Sequence, residues 1–152
     1  MINALLFVAV CVFIYMSSWF LLSVIFKRND IADIAWGLGY IFVAFALLFR
    51  YGVSNYNFLT ILILTTFWGL RLSGHIYLRN KNKKEDKRYI ELTKSWGKWF
   101  YLRSYLQVFL LQGLLMIFIS MSAVLAAVSK VSSFNILGIF GLLIWINGFL
   151  FE

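Results

Sequence analysis

The sequence predicts an all-α protein, a polytopic integral membrane helix bundle of about five transmembrane helices plus an amphipathic interfacial helix. Three observations lead there. Hydrophobic residues make up 62% of the chain and charged residues 13%, about half the charged fraction usual in soluble domains. The charges are clustered, and the stretches between them run to about 20 residues, enough to cross a hydrocarbon core of roughly 30 Å as a helix. The basic residues are also divided unequally between alternate loops, the asymmetry that orients membrane proteins.

The first span covers Ile2 to Phe26 and stops at Lys27-Arg28-Asn29-Asp30, where charge ends the apolar run. It is too long for the hydrophobic region of a secretory signal and lacks a basic leader, so it reads as a retained helix. The second covers Ile31 to Phe49 and closes on Arg50-Tyr51-Gly52. The third covers Phe58 to Leu78, the fourth Tyr105 to Val128 and the fifth Phe134 to Phe151. Between the third and fourth lies a charged loop holding nine of the fourteen Lys and Arg, from Arg79 to Arg103. In that loop Tyr89, Leu92, Trp96, Trp99 and Phe100 recur at spacings of three and four, with Glu91, Lys94, Ser95 and Lys98 between them. This pattern predicts a helix resting at the membrane surface or closing over a cavity. The chain has no proline, so kinks are expected at glycines such as Gly37, Gly69 or Gly113.

With the long loop, Lys27 and Arg28 put eleven basic residues on one side; Arg50 and Lys130 put two on the other. The basic loop is therefore expected in the cytoplasm and the N-terminus outside it. The net charge of +8 is explained by this topology, and nucleic acid is not an expected partner. Anionic lipid headgroups are, at about 1 kcal/mol per basic residue near the surface. Cys11 is the only cysteine and His75 the only histidine, which argues against a metal centre.

Sequence offsets convert into depth at about 1.5 Å per residue. Asp33 lies about 8 Å inside the cytoplasmic boundary, and His75 and Arg71 about 6 and 12 Å inside it. Gln107 and Gln112 stand near the start of the fourth span and Asn147 near the end of the fifth. Six polar residues of four helices are thereby expected in one half of the membrane, around a shared pocket. An ionised group within a span costs about 2.5 to 3.5 kcal/mol on insertion scales, so Asp33 is expected to approach Arg71 or His75 across the second and third helices. Gly37-Leu38-Gly39 predicts close helix packing.

Five pieces carry a resemblance over nearly the whole chain. They are Asp33-Ile34-Ala35-Trp36-Gly37-Leu38-Gly39, Trp68-Gly69-Leu70-Arg71-Leu72 with Arg79, Glu85-Asp86-Lys87-Arg88-Tyr89, Gln112-Gly113, and Gly148-Phe149-Leu150-Phe151-Glu152. In order and spacing they resemble a family of bacterial membrane proteins related to steroid 5-alpha-reductases. The resemblance implies an inner-membrane protein in which a lipid or steroid-like molecule enters between helices and NADPH from the cytoplasm reduces an activated carbon–carbon double bond. It makes Glu85, Tyr89 and Asp33 the candidate catalytic residues, the first two for proton delivery or for polarising a carbonyl. Arg71, Arg79 and Arg88 are the candidates for cofactor phosphates or substrate.

Members of that family usually continue into further helices bearing an Arg-His-Pro-Asn-Tyr type motif, which is absent here, as is a proline expected near Met121. The expectation is a single transmembrane domain over 1–152, the amino-terminal half of such an enzyme, either a truncated product or one part of a split protein that a separate carboxyl-terminal half completes, and inactive alone. Two other functions fit the same scaffold: a membrane lipid methyltransferase, and a non-enzymatic membrane module such as a transporter or assembly component.

Overall fold

Polar residues at the ends of apolar runs decide where each helix stops. A computed structural model describes residues 1–53, 55–81, 86–129 and 136–151, with all side chains there except those of Lys87 and Thr93. Helix α1, Ile2–Phe26, closes at Lys27, whose left-handed backbone (φ 53°) turns the chain. The Arg28 N–H returns to the Ser23 carbonyl at 3.0 Å, the six-to-one bond of a Schellman closure. Helix α2, Ile31–Tyr51, ends at Gly52, where φ is 69°. Helix α3, Tyr56–Asn80, begins at Asn55, whose side-chain oxygen accepts the Phe58 N–H at 2.8 Å. The first expected span has these same bounds, whereas α2 and α3 overrun theirs by about a half-turn into polar residues. Apolar runs mark the hydrocarbon-facing part of a helix, and the helix itself continues until a cap ends it.

Helix α4, Lys87–Trp96, is capped by Asp86 and stopped by Gly97 at φ 48°. It is the predicted surface helix: Tyr89 is buried, Leu92, Trp96 and Phe100 are half-buried, and Glu91, Lys94, Ser95 and Lys98 are exposed. Trp99 departs from the pattern and is exposed, because a tight 3-10 turn over Gly97–Trp99 breaks the 3.6-residue phase.

The fourth span is divided into α5, Phe100–Ser104, a π-helical stretch, Tyr105–Leu110, and then α6, Leu111–Ile119, and α7, Met121–Val128. The irregularities fall at Tyr105–Leu110 and at Ser120 (ψ −3°), not at the expected glycines. Gly37, Gly69 and Gly113 instead stand where helices touch. A Cβ on Gly69 would lie 2.6 Å from the Gly37 carbonyl oxygen, one on Gly37 2.4 Å from Ser73 Oγ, and one on Gly113 3.2 Å from Met16 Cγ. Small residues let backbones approach, the packing available to helices that share an apolar solvent.

Helix α2 is the centre of the bundle and contacts α1, α3, α6 and α7. Its buried face runs Ala32, Ala35, Tyr40, Val43, Ala44, Leu47. Large side chains such as Phe13, Phe49, Phe67, Phe118 and Ile144 face outward around the bundle, an extent of apolar surface that lipid accommodates and water does not. The protein is an integral membrane protein. Helices α1, α2 and α3 and the segment Arg88–Ile119 are long and apolar enough to cross a membrane. The fifth expected span is helix α8, Ile136–Phe151, 16 residues or about 24 Å long, short of the roughly 30 Å core.

Two polar locks close the ends. At the end carrying the basic residues, Arg28 grips buried Asp30 through both oxygens at 3.0 and 2.6 Å, and Ser104 Oγ donates to Asn29 Oδ1 at 3.0 Å. At the other end, Asn55 Nδ2 donates to the carbonyls of Ala126 and Ser129 at 2.7 and 2.8 Å.

Candidate functional site

The first turn of α2 separates two acids into two environments. Asp30, 2% exposed, faces Arg28 and the end of α3, where Asn80 Nδ2 also donates to it at 3.4 Å. Asp33, three residues on, meets α4 instead. Its Oδ1 accepts from the Tyr89 hydroxyl at 3.0 Å and its Oδ2 from Arg88 Nη2 at 3.2 Å. Arg88 is held from below by Asp86, which accepts the Arg88 N–H at 2.9 Å and its guanidinium at 3.1 Å. The hydrogen bond from the Arg88 side chain, helped by the Arg88 backbone N–H, holds the Asp86 carboxyl below the usual carboxylate range. Arg88 is thus shared between two carboxylates while most of its side chain stays exposed.

Asp33 and Arg88 of this cluster line a cavity of about 540 Å³ together with Gln112, and the rest of its lining is apolar. The Gln112 Oε1 atom is buried and has no hydrogen-bond partner among the described residues. Trp36 and Trp68 form the wall toward the middle of the bundle, and the same two indoles line a second cavity of about 470 Å³ between α2, α3, α7 and α8. That cavity is mostly apolar, with Tyr40, Thr65, Ser120 and Ser122 as its hydroxyl-bearing residues. Tyr40 packs edge-on against Trp36 and Trp68 with ring centres 5.3 and 5.4 Å away. An amphipathic molecule would find an apolar chamber adjoining a carboxylate, a phenol and a guanidinium.

Of the residues expected in the site, Asp33, Tyr89, Arg88 and Gln112 converge. Asp33 does not approach Arg71 or His75, and the expected pairing is replaced by one with α4. The reason is helical phase: Gly69 and Ser73 form the face of α3 on α2, and at 100° per residue Arg71 and His75 lie about 200° and 240° round from Gly69. Both are exposed; the Arg71 guanidinium lies on the Phe149 ring at 4.3 Å and donates to the Phe149 carbonyl. Gln107 and Asn147 are exposed too, Asn147 donating to the Leu143 carbonyl one turn back. The six-residue pocket therefore reduces to Asp33 and Gln112, joined by residues of α4. Glu85 lies outside the described residues.

Arg79, exposed, donates to the side chain of its neighbour Asn80. Arg88 is already engaged by two acids, and the charge of Arg79 acts on one of them, Asp86, whereas Arg71 is held at Phe149. The sequence reading also passed over Tyr40, whose signal was its place one turn after Trp36 in the glycine-bearing stretch of α2.

The profile of the family described as a protein of unknown function, DUF1295, matches residues 19–152. The chain belongs to the DUF1295 family. The match takes in Asp33, Tyr40, Arg88, Tyr89 and Gln112 and so the whole of the candidate site. No curated protein and no solved structure matches the chain.

Proposed function

We propose that this DUF1295 protein forms the substrate-binding part of a membrane reductase of the steroid 5-alpha-reductase type, acting on a lipid or steroid-like molecule with a conjugated carbonyl. The observation that supports this reading is the Tyr89–Asp33 hydrogen bond, together with Asp33 lining a cavity that shares Trp36 and Trp68 with an apolar chamber. The apolar body of the substrate occupies the chamber, and its carbonyl oxygen reaches the polar side. There the Tyr89 proton, now resting on Asp33, transfers its hydrogen bond to the carbonyl, while Arg88 keeps the Asp33 charge compensated. A donor at that oxygen draws electrons from the conjugated double bond and makes its far carbon the electrophile. NADPH is the hydride source in enzymes of this type. The reading assigns most of the cofactor's binding to a carboxyl-terminal half, with Arg88 at the boundary.

In this reading the protein lies in a bacterial inner membrane with its basic end in the cytoplasm. Anionic headgroups then gather about the loop from Arg79 to Arg103. The test is equilibrium binding of a radiolabelled enone steroid to the protein in nanodiscs. Tyr89→Phe, which removes the donor, is expected to weaken binding about tenfold, and Ser122→Phe, which fills the chamber from an exposed position, is expected to weaken it at least as much. Unchanged affinity in both variants would overturn the proposal.

A further inference from the structure

The turn that joins α1 to α2 places an unfavourable backbone conformation on a lysine. Among the described residues Lys27 is the one non-glycine with a left-handed backbone, at φ 53°, and it stands in a Schellman closure at the position that glycine usually fills. Glycine adopts this conformation without the clash between β-carbon and carbonyl that an L side chain meets, so closing the helix does not account for a lysine here. Its side chain lines a cavity of about 230 Å³ between the last turns of α1 and the start of α5. Phe20, Val24 and Phe100 give that cavity apolar lining, and Tyr101 stands with Lys27 among its polar residues. Arg28 and Asn29 line it too, but Arg28 is gripping Asp30 and Asn29 is held by Ser104. Lys27 makes no ion pair among the described residues, and neither its amine nor the Tyr101 hydroxyl makes a hydrogen bond there.

A cation and a hydroxyl beside apolar side chains, at the level where the apolar run of α1 ends, match the two parts of one molecule. A phosphodiester accepts from both donors and an acyl chain lies on the apolar lining, whereas an inorganic anion would use the donors alone. Basic pockets between membrane helices take anionic headgroups in this way, and tyrosine favours the same level of the membrane. Because Asp30 compensates Arg28, the charge left at the cavity is that of Lys27. A headgroup with net negative charge suits it better than a zwitterion, which brings its own cation to the phosphate. We infer that the cavity between α1 and α5 is a discrete binding site for one anionic phospholipid, with Lys27 as the residue that recognises the headgroup phosphate. The bound lipid bridges α1 to the first segment of the broken fourth span. This inference stands independently of the reading of Asp33 and Tyr89.

The test is native mass spectrometry of the full chain in detergent, offered phosphatidylglycerol and phosphatidylcholine with the same acyl chains in equal amounts. The wild type is expected to retain phosphatidylglycerol in preference, and inorganic phosphate in molar excess is expected not to displace it. Lys27→Gly is expected to lower that preference about fivefold, the effect of one basic residue at an anionic headgroup, while its lipid-free unfolding temperature stays the same or rises. Lys94→Gln removes one charge from an exposed position of α4 outside the cavity and is expected to change the preference less than twofold. Four results would each overturn the inference: no preference in the wild type, equal losses in the two variants, displacement of the lipid by inorganic phosphate, or a lowered lipid-free unfolding temperature in Lys27→Gly. Equal losses would mean that the charge of the whole basic end attracts the lipid, and displacement that the cavity takes a free anion.

Discussion

Asp33 shows what a single residue discloses and what it conceals. An acid within an apolar span announces a site because its charge needs a partner, so its importance is legible in the sequence. Its partner is not, since that depends on which faces of two helices meet, and the glycines of α2 and α3 turn Arg71 away from Asp33. The partners come from α4, where Arg88 and Tyr89 are adjacent in the chain and both reach the same carboxylate. A double-mutant cycle separates the two arrangements. Asp33→Asn and Tyr89→Phe are expected to be coupled by about 0.5 kcal/mol or more in stability, and Asp33→Asn and Arg71→Gln to add independently within about 0.5 kcal/mol. Additivity of the first pair with coupling of the second, read from unfolding in detergent, would restore the α2–α3 pairing.

At the scale of elements, helix positions were legible because a bilayer demands long apolar runs, and the amphipathic period exposed α4 equally well. Helix irregularities were not, because neither proline nor glycine marks Tyr105–Leu110 or Ser120. The glycines were legible as packing points but misleading as kinks. Gly69 and Gly74 of α3 make the distinction measurable: a methyl group on Gly69 meets the backbone of α2, and one on Gly74 has nothing within 4 Å. Gly69→Ala is expected to cost about 1–3 kcal/mol as helices α2 and α3 are forced apart. Gly74→Ala is expected to leave stability unchanged or raise it by up to about 1 kcal/mol. Thermal unfolding of the two variants beside the wild type checks this, and equal effects would show that the helices do not cross there.

For the molecule as a whole, the sequence disclosed the bundle and the basic side but overstated how many polar groups meet. Depth along a helix can be counted from residue numbers, whereas facing requires the crossing points, and four of the six residues at the right depth turned outward. What remains is smaller and better defined: a carboxylate, phenol and guanidinium beside one cavity, and an apolar chamber behind two shared tryptophans. The central claim is that a molecule from the membrane occupies that chamber with its carbonyl toward Tyr89. Photocrosslinking of an enone steroid to the protein in nanodiscs, followed by mass-spectrometric mapping, tests it most directly. Adducts are expected on chamber residues such as Trp36, Trp68 and Ser122, competed by unlabelled steroid and diminished in Tyr89→Phe. Adducts confined to lipid-facing residues such as Phe49 and Phe118, indifferent to competitor and to Tyr89→Phe, would contradict it.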